Sequence, residues 1–203
     1  MSSLSQSSHS DGRTERRDDN ILLALRTAQC LFDEGLLVPS IEEVAKRSGL
    51  SPRSLYRYFE DRQTMVRQAI ALVTREAYKL GAIDNIGVGP LATRIDAIVT
   101  SRIQVYKNVA GSLRASAALY PTENELVGAA DRSLRLKMLQ CSRQFEPELS
   151  RLDKRERVAV REACNMLLMM ESIHVLHHRR GLEFDTIADV LSGALTKVLT
   201  PET

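Results

Sequence analysis

The sequence contains no Trp, only 4% aromatic residues, and just ten Gly and six Pro in 203 residues. So few turn formers and aromatics disfavour a β-sandwich and favour helices. Its three cysteines, Cys30, Cys141 and Cys164, are an odd number at no metal-binding or redox spacing. They read as reduced thiols of a cytoplasmic protein rather than as staples. Long hydrophobic runs are missing too. In the C-terminal half the longest is Ala163 to Met170, eight uncharged residues between Glu162 and Glu171, against the ~20 that a membrane span needs. The opening ten residues, six of them Ser, hold no apolar core, so no secretory leader is expected. Nor does one charge dominate: a net charge of +2 does not by itself demand a polyanionic partner, and any such case rests on where the charge sits.

What is present is a chain with 43% hydrophobic and 27% charged residues, long enough to bury a core without cross-links. A polar tail is expected over residues 1–14. Helical signals then succeed one another, and the fold class reads as all-α. Asp18 and Asp19 are placed to cap a first helix ending near Glu34, with Gly35 as its stop. Ser40-Ile-Glu-Glu43 has the form of a capping box. Gly49 ends that short helix, and Ser51-Pro52 opens the next with an N-cap and a proline at the first helical position. A longer helix is expected from about Asp61 to Leu80. The stretch 81–90, with three Gly and one Pro, marks a domain boundary. Beyond it, helices are expected at about 91–108, 110–119, 122–145, 151–179 and 183–199, punctuated by Pro121, Pro147, Gly181 and Pro201.

Residues 40–59 hold the informative chemistry. Two short helices around a glycine turn are the sequence form of a helix-turn-helix. Ala45 is small enough for the second helix to cross closely, and Gly49 supplies a positive φ. Val44, Leu50, Leu55 and Tyr58 or Phe59 are the apolar positions that lock the pair. The outward side of the second helix then shows Arg53, Ser54 and Arg57, with Pro52 at its start. From Ala45 to Tyr58 there are four cations (Lys46, Arg47, Arg53, Arg57) and no acid. Arginine reads guanine edges with two parallel bonds, and hydroxyls suit phosphates or bases. The plainer alternative is an αα-hairpin with a solvated basic face.

The segments Leu31-Phe-Asp-Glu-Gly35, Ser40-Ile-Glu-Glu-Val-Ala45, Ser48-Gly-Leu-Ser51 and Leu55-Tyr-Arg-Tyr-Phe59 together resemble the N-terminal domain of the TetR (tetracycline repressor-like) family of bacterial transcription regulators. The likeness spans roughly residues 18–72. It implies that Pro52, Arg53, Ser54 and Arg57 read bases, while Ser40, Ser51, Tyr56 and Tyr58 hold phosphates. Arg62 stands where the family usually has a lysine at the start of its fourth helix. Pro52-Arg53 departs from the small residues common at that place, so no operator sequence carries over. The domains implied are a three-helix DNA-binding domain at 15–63, a connecting helix at 64–82 and a helical effector-binding and dimerisation domain at 90–203.

The C-terminal part offers evidence of its own. The helix around 158–178 is apolar nearly all round between Glu162 and Glu171, more than one core covers. The last helix carries Phe184, Ile187, Ala188, Leu191, Leu195 and Val198 at helical spacing, with small Ser192-Gly193-Ala194. The resemblance implies that the final two helices pair two copies into a homodimer; plain core packing is the alternative. It also implies a pocket for a small-molecule effector, for which Arg102, Tyr106, Tyr120, Met138, Cys141, Met166 and Met170 are the candidate lining, although methionines at this spacing equally serve as core. Coupling of about 1–3 kcal/mol would shift operator affinity roughly 5- to 150-fold.

Glu171, His174, His177 and His178 stand at spacings that suggest metal ligands, yet imidazoles beside Arg179-Arg180 also suit a helix C-terminus. No metal and no cofactor are expected. No phosphate loop, nucleophile elbow or zinc-hydrolase motif is present, so no catalytic residues are assigned. The function expected is that of a cytoplasmic regulator of double-stranded operator DNA, a homodimeric repressor released by an effector and not a membrane protein. An adaptor that kept the fold and lost DNA binding is the alternative.

Overall fold

The computed structural model describes residues 8–119 and 124–200, and among them every regular element is helical. The expected Tyr120, Pro121 and Pro201 lie outside the described residues. No helix among the described residues is long and apolar enough to cross a membrane.

The first helix, α1 (Ser8–Asp33), begins ten residues before the expected cap at Asp18. The expected polar tail is therefore helical from Ser8; residues 1–7 lie outside the described residues. Glu15, Arg16 and Arg17 are good helix formers, and they extend a helix that buried Ala24, Leu25, Ala28, Leu31 and Phe32 anchor. Next come α2 (Ile41–Ser48), α3 (Pro52–Tyr58) and α4 (Arg62–Leu80), close to expectation because each carries a strong start or stop signal. Asp61 starts α4, accepting the Thr64 backbone N–H at 2.6 Å.

Two expected helices are one: α5 runs unbroken over Leu91–Leu119. The break expected near residue 109 is absent, and Gly111 just beyond it is a place of close approach. A Cβ there would sit 2.9 Å from the Asp33 backbone nitrogen and 3.0 Å from the Phe32 carbonyl carbon. Nearby, the Arg114 guanidinium donates to the Phe32 carbonyl at 3.0 Å.

The reverse holds further on. After α6 (Asn124–Gln144) and the short α7 (Glu146–Leu149), the helix expected over 151–179 is divided. Asp153 caps α8 (Lys154–Leu167), accepting the Arg155 and Glu156 backbone N–H groups at 2.8 and 2.9 Å. Met169 is extended, and α9 (Met170–His174) leads into a π-helical turn at Val175–Arg179. A physical reason lies in Ser172, whose hydroxyl donates to the Met166 carbonyl and thereby competes with the helical ladder. Finally α10 (Phe184–Leu199) buries Ile187, Leu191, Leu195 and Leu199.

The chain divides into two compact units, Met1–Arg75 with Gly111–Glu123, and Glu76–Ala110 with Asn124–Thr203. The division thus falls within α4 and α5 and not in the Gly/Pro-rich stretch. That stretch belongs to the second unit, where the Gly87 N–H donates to the Gln144 side chain at 2.9 Å. The first unit buries Val44, Ala45, Leu55, Phe59, Met65 and Val66; the second buries Ile98, Ile103, Tyr106, Phe145, Ile173 and Ile187.

Candidate nucleic-acid interface

Helices α2 and α3 are each built by their own residues. The Ser40 hydroxyl accepts the Glu43 N–H at 3.2 Å, and the Glu43 carboxylate accepts the Ser40 N–H at 2.7 Å, a closed capping box. The bonds that the Glu43 carboxylate accepts from the Ser40 N–H and the Ser40 hydroxyl hold it below its ordinary range. Gly49 ends α2 at φ 75°. Two residues later the Ser51 hydroxyl accepts the Ser54 N–H at 3.1 Å and donates to the Ser54 hydroxyl at 2.9 Å. Pro52 occupies the first turn of α3, where no N–H is needed.

Packing then decides which side of α3 faces outward. Val44 and Leu55 are fully buried and Phe59 nearly so. Leu50 and Tyr58 are half-buried, which makes Phe59 rather than Tyr58 the locking aromatic. Ser51, Pro52, Arg53, Tyr56 and Arg57 are exposed, and Ser54 is half-buried. Arg53 and Arg57, four residues apart, share one side of the helix. The Arg57 guanidinium lies over the Tyr58 ring, 5.4 Å from its centroid. Arg62 is exposed at the start of α4.

Three neighbours that sequence reasoning passed over change the electrostatics. Arg47, counted among the free cations, pairs with Glu34. Glu42 accepts the Tyr56 hydroxyl proton at 2.8 Å, a bond that pushes the phenol pKa up. Asn20, on α1, donates to the Tyr58 hydroxyl at 3.4 Å; that bond and a second from Arg57 push the Tyr58 phenol down. Each is a contact between residues 13 to 38 positions apart, so spacing in the sequence carried no sign of it. The outward charge of α3 therefore rests on Arg53 and Arg57. The Tyr56 hydroxyl donates to an acid, and the Tyr58 hydroxyl collects donors.

The seven residues expected around an effector are scattered in environment. Arg102 and Tyr106 are buried, as are Cys141 and Met170; Met138 is half-buried; Tyr120 lies outside the described residues. Met166 is 67% exposed on α8 and so faces away from the interior of this chain. Tyr106 meets His174 through its hydroxyl, 3.0 Å from Nδ1. His177 bonds the Leu182 carbonyl at 2.9 Å and stacks on Phe184 at 4.2 Å. Among the described residues no three His, Cys, Asp or Glu side chains converge to hold a metal ion. Burial pushes the Cys141 and Cys164 thiols up to about 12 and about 11, which leaves both protonated and poor redox centres.

Comparison with known proteins agrees with this arrangement. Residues 26–69, from α1 through the first part of α4, match the family described as "Bacterial regulatory proteins, tetR family". No curated protein matches the chain. Among solved structures, a transcriptional regulator of the TetR/AcrR family from Thermobifida fusca is similar, with a TM-score of 0.61 and 16% identity. The similarity covers 91% of this chain and 99% of that one, and it is a likeness of fold. The capped helix pair with its outward arginines thus lies within the segment that matches the tetR family of bacterial regulatory proteins, in a chain that shares the all-α fold of a TetR/AcrR-family regulator.

Proposed function

We propose that the chain is a cytoplasmic homodimeric repressor that binds a two-fold operator through α3 and leaves it when a small molecule binds the second unit. The observation that carries the DNA-reading part is α3 itself. A helix locked by buried Leu55 and Phe59 offers exposed Arg53 and Arg57 on one side, behind an N-cap at Ser51. In this reading Pro52, Arg53, Ser54 and Arg57 lie against base edges. Ser40, Ser51, Tyr56, Tyr58 and Arg62 position the phosphates. The reading is that of a regulator and not of an enzyme.

Dimerisation has its own support. The chain leaves Val158 and Met166 of α8, Val175 of the π-helical turn and Val190 of α10 exposed at 44 to 67%. Exposed apolar side chains on these elements favour a protein partner, and a second copy supplies the two-fold symmetry that a pair of half-sites needs. Residues 15–63 are the DNA-binding part, 64–82 the connection and 90–203 the effector and dimer part.

Selection from a randomised duplex library tests the reading. Recovery of a palindrome with half-sites about 10 bp apart or a multiple of that, bound by two protomers or more, is the expected result. Recovery of unrelated sequences bound with equal strength would instead favour the adaptor.

A further inference from the structure

Two arginines are buried on α5, eight residues apart, with Arg94 at 4% and Arg102 at 2% exposure. They differ sharply in how their charge is met. Arg94 donates through Nε to the Gly89 carbonyl at 2.9 Å and through Nη1 to the Gln144 carbonyl at 2.7 Å. Both of its Nη groups also reach the Glu148 carboxylate. Its charge has a counter-ion and its donors are engaged. Arg102 donates to the Gln140 side-chain oxygen and, at 3.1 Å, to the Lys137 carbonyl. Its Nε is buried with no hydrogen-bond partner. Among the described residues no carboxylate forms an ion pair with it.

The groups around Arg102 do not supply the missing charge. Lys137 is a second cation, half-buried, and desolvation followed by repulsion from Arg102 pulls its pKa down. Glu171 offsets this in part, but it is exposed and forms no ion pair with either cation. Cys141 is a neutral thiol at about 12. Burial pulls Arg102 itself down to about 10, so it stays charged at neutral pH. A buried charge without a counter-ion is costly, and proteins meet that cost with a partner or a ligand.

We infer that Arg102, with Lys137 and Gln140 beside it, is the binding site for an anionic headgroup, a carboxylate or a phosphate, of a small effector molecule. A guanidinium whose Nε–H has no partner keeps the planar edge that oxyanions bind with paired hydrogen bonds. Lys137 adds a second cation. The Gln140 amide is fixed for the task, because its nitrogen donates to the Gly81 carbonyl at 2.7 Å while its oxygen receives Arg102. This inference rests on the reading of the second unit as effector-binding and gives that effector a charge.

The test is thermal melting of the full-length chain at constant ionic strength with four probes of one chain length: octanoate, octyl phosphate, octanol and octylamine. The expected result is a rise in Tm of about 5–10 °C at a hundredfold excess over the dissociation constant with octanoate, octyl phosphate or both, and none with octanol or octylamine. Which anion acts tells carboxylate from phosphate. R102M is expected to abolish the rise and, without anion, to melt no lower than the unaltered chain. R102K, which keeps the charge but not the planar edge, is expected to show a reduced rise. No rise with either anion, or the same rise in R102K as in the unaltered chain, overturns the proposal; so does an undiminished rise in R102M. Operator affinity measured alongside bears on the other reading. An anion that binds through Arg102 without changing DNA affinity leaves the site standing and removes its role as effector site.

Discussion

Arg57 sits on α3 with its guanidinium exposed and its neighbour Tyr58 beneath it, whereas Arg62 opens α4 beyond the reading helix. In the proposed reading the two positions make different demands on DNA. A base-reading arginine discriminates, so Arg57→Ala is expected to cost about 1–3 kcal/mol and to relax preference at one position of each half-site. A phosphate-holding arginine does not discriminate. Arg62→Ala is expected to weaken all duplexes alike and to shallow the salt slope by about one unit. Titration of both variants against single-base operator variants separates the two roles. Equal losses on every duplex for Arg57→Ala would remove it from the base-reading set. A buried arginine obeys another rule. Arg94→Met breaks a buried pair and is expected to cost about 3–5 kcal/mol in urea unfolding. The bond from Arg94 lowers the Glu148 pKa from 4.5. That stabilisation is complete above about pH 4.5 and is lost as pH falls through the lowered value. Melting temperatures from pH 7 to pH 3 should therefore converge for Arg94→Met and the unaltered chain.

At the scale of elements, local signals act where a single residue governs a helix end. Ser40, Gly49, Ser51 and Asp61 each place a terminus to within a residue or so, because a cap needs one side chain and one backbone group close in sequence. Their removal is correspondingly simple: Ser51→Ala should cost about 1 kcal/mol through the lost cap alone, measured by urea unfolding. What sequence reasoning missed depends on distant neighbours. The continuity of α5 past residue 109, and the place of Gly111 against Asp33 and Phe32, show only in the fold. The division at Leu168–Met169 depends on a bond between Ser172 and Met166, six residues apart. At the candidate site Arg53 and Arg57 were legible because helical spacing turns them outward. The roles of Glu34, Glu42 and Asn20 were not, since only folding brings them to Arg47, Tyr56 and Tyr58. Gly111 gives a prediction whose sign separates the two kinds of reasoning. An exposed helical glycine gains up to ~1 kcal/mol on conversion to alanine. Here Gly111→Ala is expected to destabilise by about 1–3 kcal/mol, because backbone stands where the methyl would go. A rise in stability would show that α1 and α5 separate easily at this point.

At the scale of the whole molecule, the proposed reading requires two copies. A single helix-turn-helix contacts one half-site, and in this reading exposed Met166, Val158 and Val190 join a second copy. Met166→Glu is expected to yield a folded monomer by sedimentation, with an unchanged helical spectrum and a large loss of operator affinity. A variant that remained dimeric would move the interface elsewhere. The most direct measurement of the central claim is binding of the purified chain, by fluorescence anisotropy, to the DNA flanking its own gene and to a scrambled duplex, across several salt concentrations. Tight binding to the first duplex alone, weakening steeply as salt rises through counterion release and lost in Arg57→Ala, is the expected result. Weak binding to both duplexes, equal in strength and unaltered by Arg57→Ala, would contradict the account of α3 as the reading helix.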